Sequence, residues 1–177
     1  IRLTSGVFNL QDSLSLDIEG VQIEGAGMDQ TILSFSDQKS GAQGLSVTSD
    51  NVTLQDFSIQ NAKGDAIKVK GVTNIKFLRV KTEWTNGPSS ENGAYGLYPV
   101  ESNNVLIDGC VAIGASDAGI YVGQSKNIIV RNSRVEFNVA GIEIENSYYA
   151  DVFNNVATNN TGGILVFDLP GLPQQGG

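Results

Sequence analysis

The sequence predicts an all-β fold, a parallel β-solenoid with three short strands per coil and about six coils of 22 or 23 residues. One short phrase recurs at this spacing, apolar residues alternate within each repeat, and Gly, Asn, Asp and Ser fill the turns. The phrase opens with a small residue and an aliphatic one, at Gly44-Leu45, Ala66-Ile67, Gly96-Leu97, Gly119-Ile120, Gly141-Ile142 and Gly163-Ile164. Because a single coil is too short to bury its own apolar residues, stacking on neighbouring coils must supply the core.

The second half of the phrase is an asparagine followed by an apolar run. It occurs at Asn51, Asn74, Asn104 and Asn127. Asparagine tolerates left-handed backbone, and its side-chain amide both donates and accepts hydrogen bonds. We therefore expect these four residues to stack at one corner as an amide ladder, with Asn132 and Asn154 forming a second, smaller register.

A leucine-rich repeat has an overlapping period and is the competing interpretation of the phrase. It requires a leucine-rich consensus and a helical or extended convex side. Here the repeated apolar positions are mostly Ile and Val, which favour strands, and no segment carries a helical apolar stripe of useful length. The pattern therefore favours the solenoid.

The chain is expected to form one domain over residues 1–177, with irregular coils over 1–43 and regular repeats over 44–177. Strands are expected near Val21–Ile23 and Thr31–Leu33. An inserted loop at 82–95 interrupts the period, and insertions in repeat proteins often lie on the binding face. The repeat still runs at the C-terminus, where Leu165 and Phe167 are apolar at outward positions. We expect further coils beyond this point, or a partner that covers this end.

Composition excludes several classes of function. The net charge of −8 disfavours nucleic-acid binding. The sequence has no apolar run long enough to predict insertion into a membrane. The chain has no histidine, which rules out histidine-based triads and zinc sites. Its one cysteine, Cys110, is expected to be a small core residue. No cofactor is expected. Asp and Asn oxygens could bind calcium, but no spacing typical of a calcium loop is present, so no metal site is assigned.

The phrase Gly-Ile-x-Val followed by Asn-Ile-x-Val resembles the right-handed parallel β-helix proteins of the pectin-lyase-like superfamily. The opening segment from Gly20 to Gly27 resembles the first coils of that group. The chain also resembles bacterial exported β-helix repeat proteins, a family of unknown function, and this resemblance implies an extracellular or periplasmic location. Residues 95–101 resemble a Tyr-Gly-Phe-Asp-Pro-His-Glu segment of mannuronan C5-epimerases. Tyr98 and Val100 replace the Asp and His of that segment, and only Tyr95 is retained as a catalytic-type residue.

Alternation places a column of polar and aromatic side chains on the outer face of the strand that opens each coil. Aromatic rings beside charged groups in a long shallow groove suit an extended polysaccharide. A plain solvated surface with paired tyrosines is the competing interpretation. The expected binding residues, with Trp84 and Tyr95 contributed by the inserted loop, are Lys68, Lys70, Trp84, Tyr95, Tyr98, Tyr121, Glu143 and Glu145.

Two alternatives to a non-catalytic binding surface remain open. In the first, the protein is a polysaccharide lyase or hydrolase acting on an acidic glycan. Lys68 or Lys70 with Tyr98 could supply the base and the proton donor for elimination. Glycoside hydrolysis needs two carboxyl groups, for which Asp117, Glu143 and Glu145 are the candidates. In the second, it is a structural module that stacks end to end through its open C-terminal edge.

Overall fold

The computed structural model describes residues 1–174 and contains twenty β-strands. In the first part of the chain these are β1 (Gly6–Asn9), β2 (Asp12–Leu16), β3 (Gln22–Glu24), β4 (Thr31–Ser34), β5 (Ser40–Val47), β6 (Val52–Gln55) and β7 (Ser58–Gln60). The middle part contains β8 (Ile67–Lys70), β9 (Thr73–Leu78), β10 (Lys81–Glu83), β11 (Tyr95–Val100), β12 (Asn103–Asp108), β13 (Val111–Ile113) and β14 (Ala118–Gly123). The last part contains β15 (Lys126–Arg131), β16 (Arg134–Glu136), β17 (Ala140–Glu145), β18 (Tyr148–Phe153), β19 (Val156–Thr158) and β20 (Gly162–Phe167).

The strands form three parallel sheets that run the length of the solenoid. One sheet has the order β2-β5-β8-β11-β14-β17-β20, the second β18-β15-β12-β9-β6-β3, and the third β1-β4-β7-β10-β13-β16-β19. We call them the opening, second and third sheets. The predicted all-β solenoid with three strands per coil is thus confirmed. About seven coils are present, because β1 and β2 begin the stack in a segment where the repeat phrase is absent.

The strands that precede the regular repeats belong to the same three sheets. β3 and β4 lie at the two places where the sequence predicted strands. β2 pairs with β5 through an irregular register between Asp12 and Leu14, and the pairs Ser15–Ser46 and Leu16–Val47 are already in step with the later coils.

The core is a set of columns formed by one inward residue from each coil. Ile67, Leu97, Ile120 and Ile142 are successive partners across the opening sheet, and all four are fully buried. Each apolar side chain therefore packs above and below on residues that are 22 to 30 positions distant in sequence. Cys110 is fully buried as predicted, and burial raises the pKa of its thiol to about 12.

The corner between the opening and second sheets carries the predicted amide ladder. Asn51, Asn74, Asn104 and Asn127 all adopt left-handed backbone with φ between 55° and 63°. Asn74 donates its amide to Asn51 at 2.7 Å, and Asn104 donates to Asn74 at 2.9 Å. The ladder then shifts by one residue, because Asn127 donates to Asn103 instead of Asn104.

The second asparagine register also adopts the left-handed conformation, with φ of 53° at Asn132 and 55° at Asn154. Its members do not bond to one another in the same way. Asn132 donates to Asp108 at 2.9 Å. Within residues 1–174, no helix is long and apolar enough to cross a membrane.

The ladder provides a test of what asparagine contributes at these corners. We expect Asn74→Ala to lower the free energy of unfolding by about 2 kcal/mol, because it loses two side-chain hydrogen bonds and must hold left-handed backbone. Asn74→Gly loses the same hydrogen bonds, but glycine adopts left-handed backbone without strain, so the free energy of unfolding should fall by only about 1 kcal/mol. Urea unfolding of both variants measures the difference. A glycine variant no more stable than the alanine variant would contradict this explanation.

Candidate functional site

The opening sheet aligns one polar or aromatic side chain from each of four successive coils. Tyr98 is the partner of Lys68, and Tyr121 is the partner of Glu143. Tyr98 and Tyr121 are neighbours in the paired strands β11 and β14, with ring centroids 5.0 Å apart. The four residues therefore lie in one row, as the spacing of the repeat phrase predicted.

Three tyrosine rings form a compact cluster at the centre of this row. The ring centroid of Tyr95 lies 4.4 Å from that of Tyr98 and 4.9 Å from that of Tyr121. Tyr98 and Tyr121 meet edge to face at 81°. Each separation falls at the close end of the range in which aromatic pairs attract. Tyr95 and Tyr98 remain half-buried, whereas only 6% of Tyr121 is exposed.

Small residues in the adjacent coils make room for the rings. The strand partner of Tyr95 in the next coil is Ala118, and the partner of Ala118 in the coil after that is Ala140. Both alanines pack against the cluster. The ring of Tyr121 lies over Gly123, where any side-chain carbon would collide with its hydroxyl end. Glycine at position 123 therefore lets the Tyr121 side chain lie along the strand toward Glu145, the partner of Gly123 in the next coil.

Two of the tyrosine side chains lie close to carboxylates at the edge of the cluster. Tyr95 is beside Asp117, and Tyr121 is beside Glu145. Burial is the main cause that raises the pKa of both phenols, and the nearby carboxylates raise it further. The phenols thus stay protonated at neutral pH and act as donors.

Glu143 lies near both carboxylates and has a strongly raised pKa. Only 8% of the residue is exposed, because Tyr121 flanks it in one coil and Leu165 in the next. Burial raises its pKa from 4.5 to about 7, and repulsion from Asp117 and Glu145 adds to the shift. Glu143 therefore holds a proton in a large fraction of molecules near neutral pH. We call Tyr95, Tyr98, Tyr121, Asp117, Glu143 and Glu145 the tyrosine–carboxylate patch.

Lys68 lies at the other end of the row, and Lys70 lies two residues further along the same strand; both already have acidic neighbours. Lys68 Nζ lies 3.9 Å from Asp65 and 4.9 Å from the centre of the Tyr98 ring, a cation–π distance. Lys70 Nζ lies 3.7 Å from Glu101. Burial raises the pKa of Asp65, and the charge of Lys68 opposes that shift.

The expected position of Trp84 is wrong. Its ring does not overhang the opening sheet but belongs to the buried core, with 5% of the residue exposed. The indole nitrogen donates to the Ala62 carbonyl at 2.8 Å, which removes its polar atom from solvent. The inserted loop is held against the body by Asn92, which donates to Gly114 at 2.7 Å.

The sequence-predicted residues thus divide into groups. The structure brings together Lys68, Tyr95, Tyr98, Tyr121, Asp117, Glu143 and Glu145. It places Lys70 at the exposed edge beside Glu101, and it removes Trp84 to the core. Sequence reasoning missed Asp65. Asp65 lies just before the opening phrase of its coil, close to the position that Asp117 occupies two coils later. This similarity of position is the signal that could have identified Asp65.

Side chains outside the patch offer less chemistry. Among residues 1–174, no group of three or more Asp, Glu, Cys or His side chains has the geometry to hold a metal ion. One shallow groove lies beside the inserted loop and is lined by residues that include Pro88, Ser116 and Phe137. Another lies on the second sheet beside the exposed ring of Tyr149.

The chain belongs to the right-handed β-helix family. The family described as "right handed beta helix region" matches residues 18–170. No curated protein sequence shows significant similarity to the chain.

Solved structures share this fold at low sequence identity. The A-module of the Azotobacter vinelandii mannuronan C-5 epimerase AlgE4 aligns with a TM-score of 0.71 and 20% identity, over 92% of this chain and 50% of the module. The catalytic domain of a GH87 α-1,3-glucanase, solved with tetrasaccharides, aligns with a TM-score of 0.61 and 13% identity, over 95% of this chain and 34% of the domain. The chain thus spans half of the first structure and about a third of the second.

The buried acid makes stability depend on pH. Between about pH 4.5 and 7 the folded protein keeps the Glu143 proton that the unfolded chain releases, so the free energy of unfolding falls as pH rises through this window. We expect the free energy of unfolding of the wild-type protein to fall by on the order of 2 kcal/mol across this window because of Glu143, after allowing for solvent screening. The Glu143→Gln variant should not show this decrease. Urea unfolding at pH 5 and pH 8 tests this. Glu91→Gln, at an exposed loop position, is the control that should retain the wild-type pH dependence.

Proposed function

We propose that the tyrosine–carboxylate patch, together with Lys68, binds an extended carbohydrate chain laid along the solenoid axis. The observation that carries the proposal is the row itself, in which four successive coils contribute Lys68, Tyr98, Tyr121 and Glu143 in register. Coils in such a stack are about 4.8 Å apart, which is close to the length of one sugar residue. A chain of sugars can therefore meet equivalent positions coil after coil.

The chemistry of the patch matches what a sugar offers. The half-buried rings of Tyr95 and Tyr98 present apolar surface on which the C–H face of a pyranose can stack. Carboxylates accept hydrogen bonds from sugar hydroxyls, and Lys68 can donate to a hydroxyl or ring oxygen. Aromatic surface with convergent polar groups is typical of small-molecule and glycan sites.

The comparisons support the proposal at the level of the fold. The two similar structures are a mannuronan C-5 epimerase module and an α-1,3-glucanase domain, so carbohydrate-active proteins use this architecture. Because one fold hosts many functions, carbohydrate binding by this chain depends on the side chains of the row. A location outside the cell or in the periplasm, where extended glycans occur, is part of the proposal.

Truncating the accessible ring of the cluster should weaken binding. We expect Tyr98→Ala to lower the affinity for a bound oligosaccharide at least tenfold, equivalent to about 1.4 kcal/mol, because stacking surface and the contact with Lys68 are both lost. Titration calorimetry with oligosaccharides from a glycan screen measures the change. Tyr148→Ala is a matched control, since Lys126 lies over that ring at 5.4 Å on the second sheet. Equal losses in both variants would contradict the assignment of the site.

Glycoside hydrolysis is a second candidate function, favoured by the protonated state of Glu143. A carboxyl group with a pKa of about 7 can give its proton to the departing glycosidic oxygen, while Asp117 or Glu145 takes a proton from the attacking water. Glu143 and Glu145 are two residues apart on one strand, which separates their Cα atoms by roughly 6 to 7 Å. Two side chains on the same face of one strand at this separation can both reach a single glycosidic bond.

Hydrolysis has a distinct signature in solution. If Glu143 is the acid, wild-type protein releases reducing ends from a bound glycan, and the rate falls as pH rises above about 7 because the proton is lost. Glu143→Gln should reduce the rate at least a hundredfold while oligosaccharide binding persists. Absence of reducing ends from every glycan that the protein binds would leave the non-catalytic binding surface as the function.

A further inference from the structure

We propose that the site selects uncharged sugar chains and rejects chains of uronic acids. This inference rests on the proposed function and specifies the class of glycan that the surface takes. The basis for this inference is the arrangement of charged side chains along the row and beside it.

One end of the site is acidic and has no cation among the patch residues. Asp117 and Glu145 are close enough to Glu143 for their charges to act on it, and Glu143 is almost fully buried. A sugar carboxylate placed beside these groups would add a third negative charge to those of Asp117 and Glu145, or a fourth where Glu143 is ionised. The setting is partly desolvated, so the repulsion is stronger than in bulk water. An uncharged sugar meets no such penalty.

The phenol hydroxyls at this end lie close to carboxylates of the protein. Tyr95 is beside Asp117 and Tyr121 is beside Glu145, so a ligand carboxylate that accepts from either hydroxyl must approach one of these negative charges. The carboxylate oxygens at this end accept hydrogen bonds, and Asp117 is more exposed than Glu143 and Glu145. Sugar hydroxyls are donors and fit these oxygens, whereas an ionised carboxylate can only accept.

The lysines do not reverse this balance. Lys68 lies beside Asp65, and Lys70 lies beside Glu101. Each ammonium group therefore already has an acidic neighbour before a ligand arrives. A uronate could gain a lysine only by competing with that carboxylate, and the repulsion at the acidic end would still remain.

A comparison of matched oligosaccharides tests the selectivity. Uncharged gluco-oligosaccharides of several linkages and uronate oligosaccharides of equal length are titrated into the protein at pH 7.5 and low ionic strength. We expect an uncharged series to bind and the uronates to bind at least tenfold more weakly. Raising the salt to about 0.2 M should narrow the difference, because screening weakens the repulsion. A difference that does not change with salt would overturn the electrostatic explanation.

Removing charge from the patch should relax the selectivity. We expect Asp117→Asn combined with Glu145→Gln to improve uronate binding about tenfold relative to uncharged chains. The control variant, Asp17→Asn combined with Asp151→Asn, removes two exposed charges from the first coil and the second sheet and should leave the ratio unchanged. If the double variant of the patch is unfolded by circular dichroism, Glu145→Gln alone should give a smaller shift in the same direction.

The outcomes separate the two proposals. Uronate chains that bind wild-type protein as tightly as uncharged chains, and lose affinity in Tyr98→Ala, would overturn the selectivity while leaving the carbohydrate surface in place. Failure of folded wild-type protein to bind any oligosaccharide of either class would overturn the carbohydrate surface itself, and the selectivity with it.

Discussion

Every structural feature of this protein depends on the parallel register between successive coils. A single coil of 22 or 23 residues has no core of its own, so its backbone hydrogen bonds and its inward side chains are completed only by the coils above and below. The column of Ile67, Leu97, Ile120 and Ile142 shows the consequence, since each side chain is fully buried although its contacts come from distant parts of the sequence. A slip of one residue would turn this column outward, which is why the register is strongly fixed.

The same register that builds the core creates the site on the outer face. Inward positions are constrained to apolar residues of similar volume, whereas the outward positions next to them are free to vary. At four coils they carry Lys68, Tyr98, Tyr121 and Glu143, and the pairing of the strands brings these groups into one row. Small residues at the neighbouring positions, such as Ala118 and Gly123, leave the space that the aromatic rings occupy. The patch is therefore a product of both large and small side chains.

Glu143 is the least favourable element of the patch for stability. Burial and repulsion from the nearby Asp117 and Glu145 raise the energy of its charged form. The patch contains no lysine or arginine that would offset this cost. Arrangements of this kind are concentrated at functional sites, because selection for stability alone would replace the acid with an uncharged residue. The ion pairs of Arg79 with Asp56 and of Arg131 with Asp108 show the contrasting case, in which each charge has a direct partner. The difference marks the tyrosine–carboxylate patch as distinct from the ordinary surface of the solenoid.

The sequence by itself determined the repeat, the three strands per coil, the Asn corners and the row of outward residues, because a fixed period and a strict alternation translate directly into position. It also indicated the core place of Cys110. The tertiary structure alone decided how side chains that are brought near each other divide between solvent and interior. It buried Trp84 through its bond to the Ala62 carbonyl, shifted the amide ladder at Asn127, and enclosed Glu143 between Tyr121 and Leu165. Periodicity specifies which residues face outward, but burial, hydrogen bonding and pKa depend on the neighbours that a side chain finds in other coils, and a single sequence does not contain those distances.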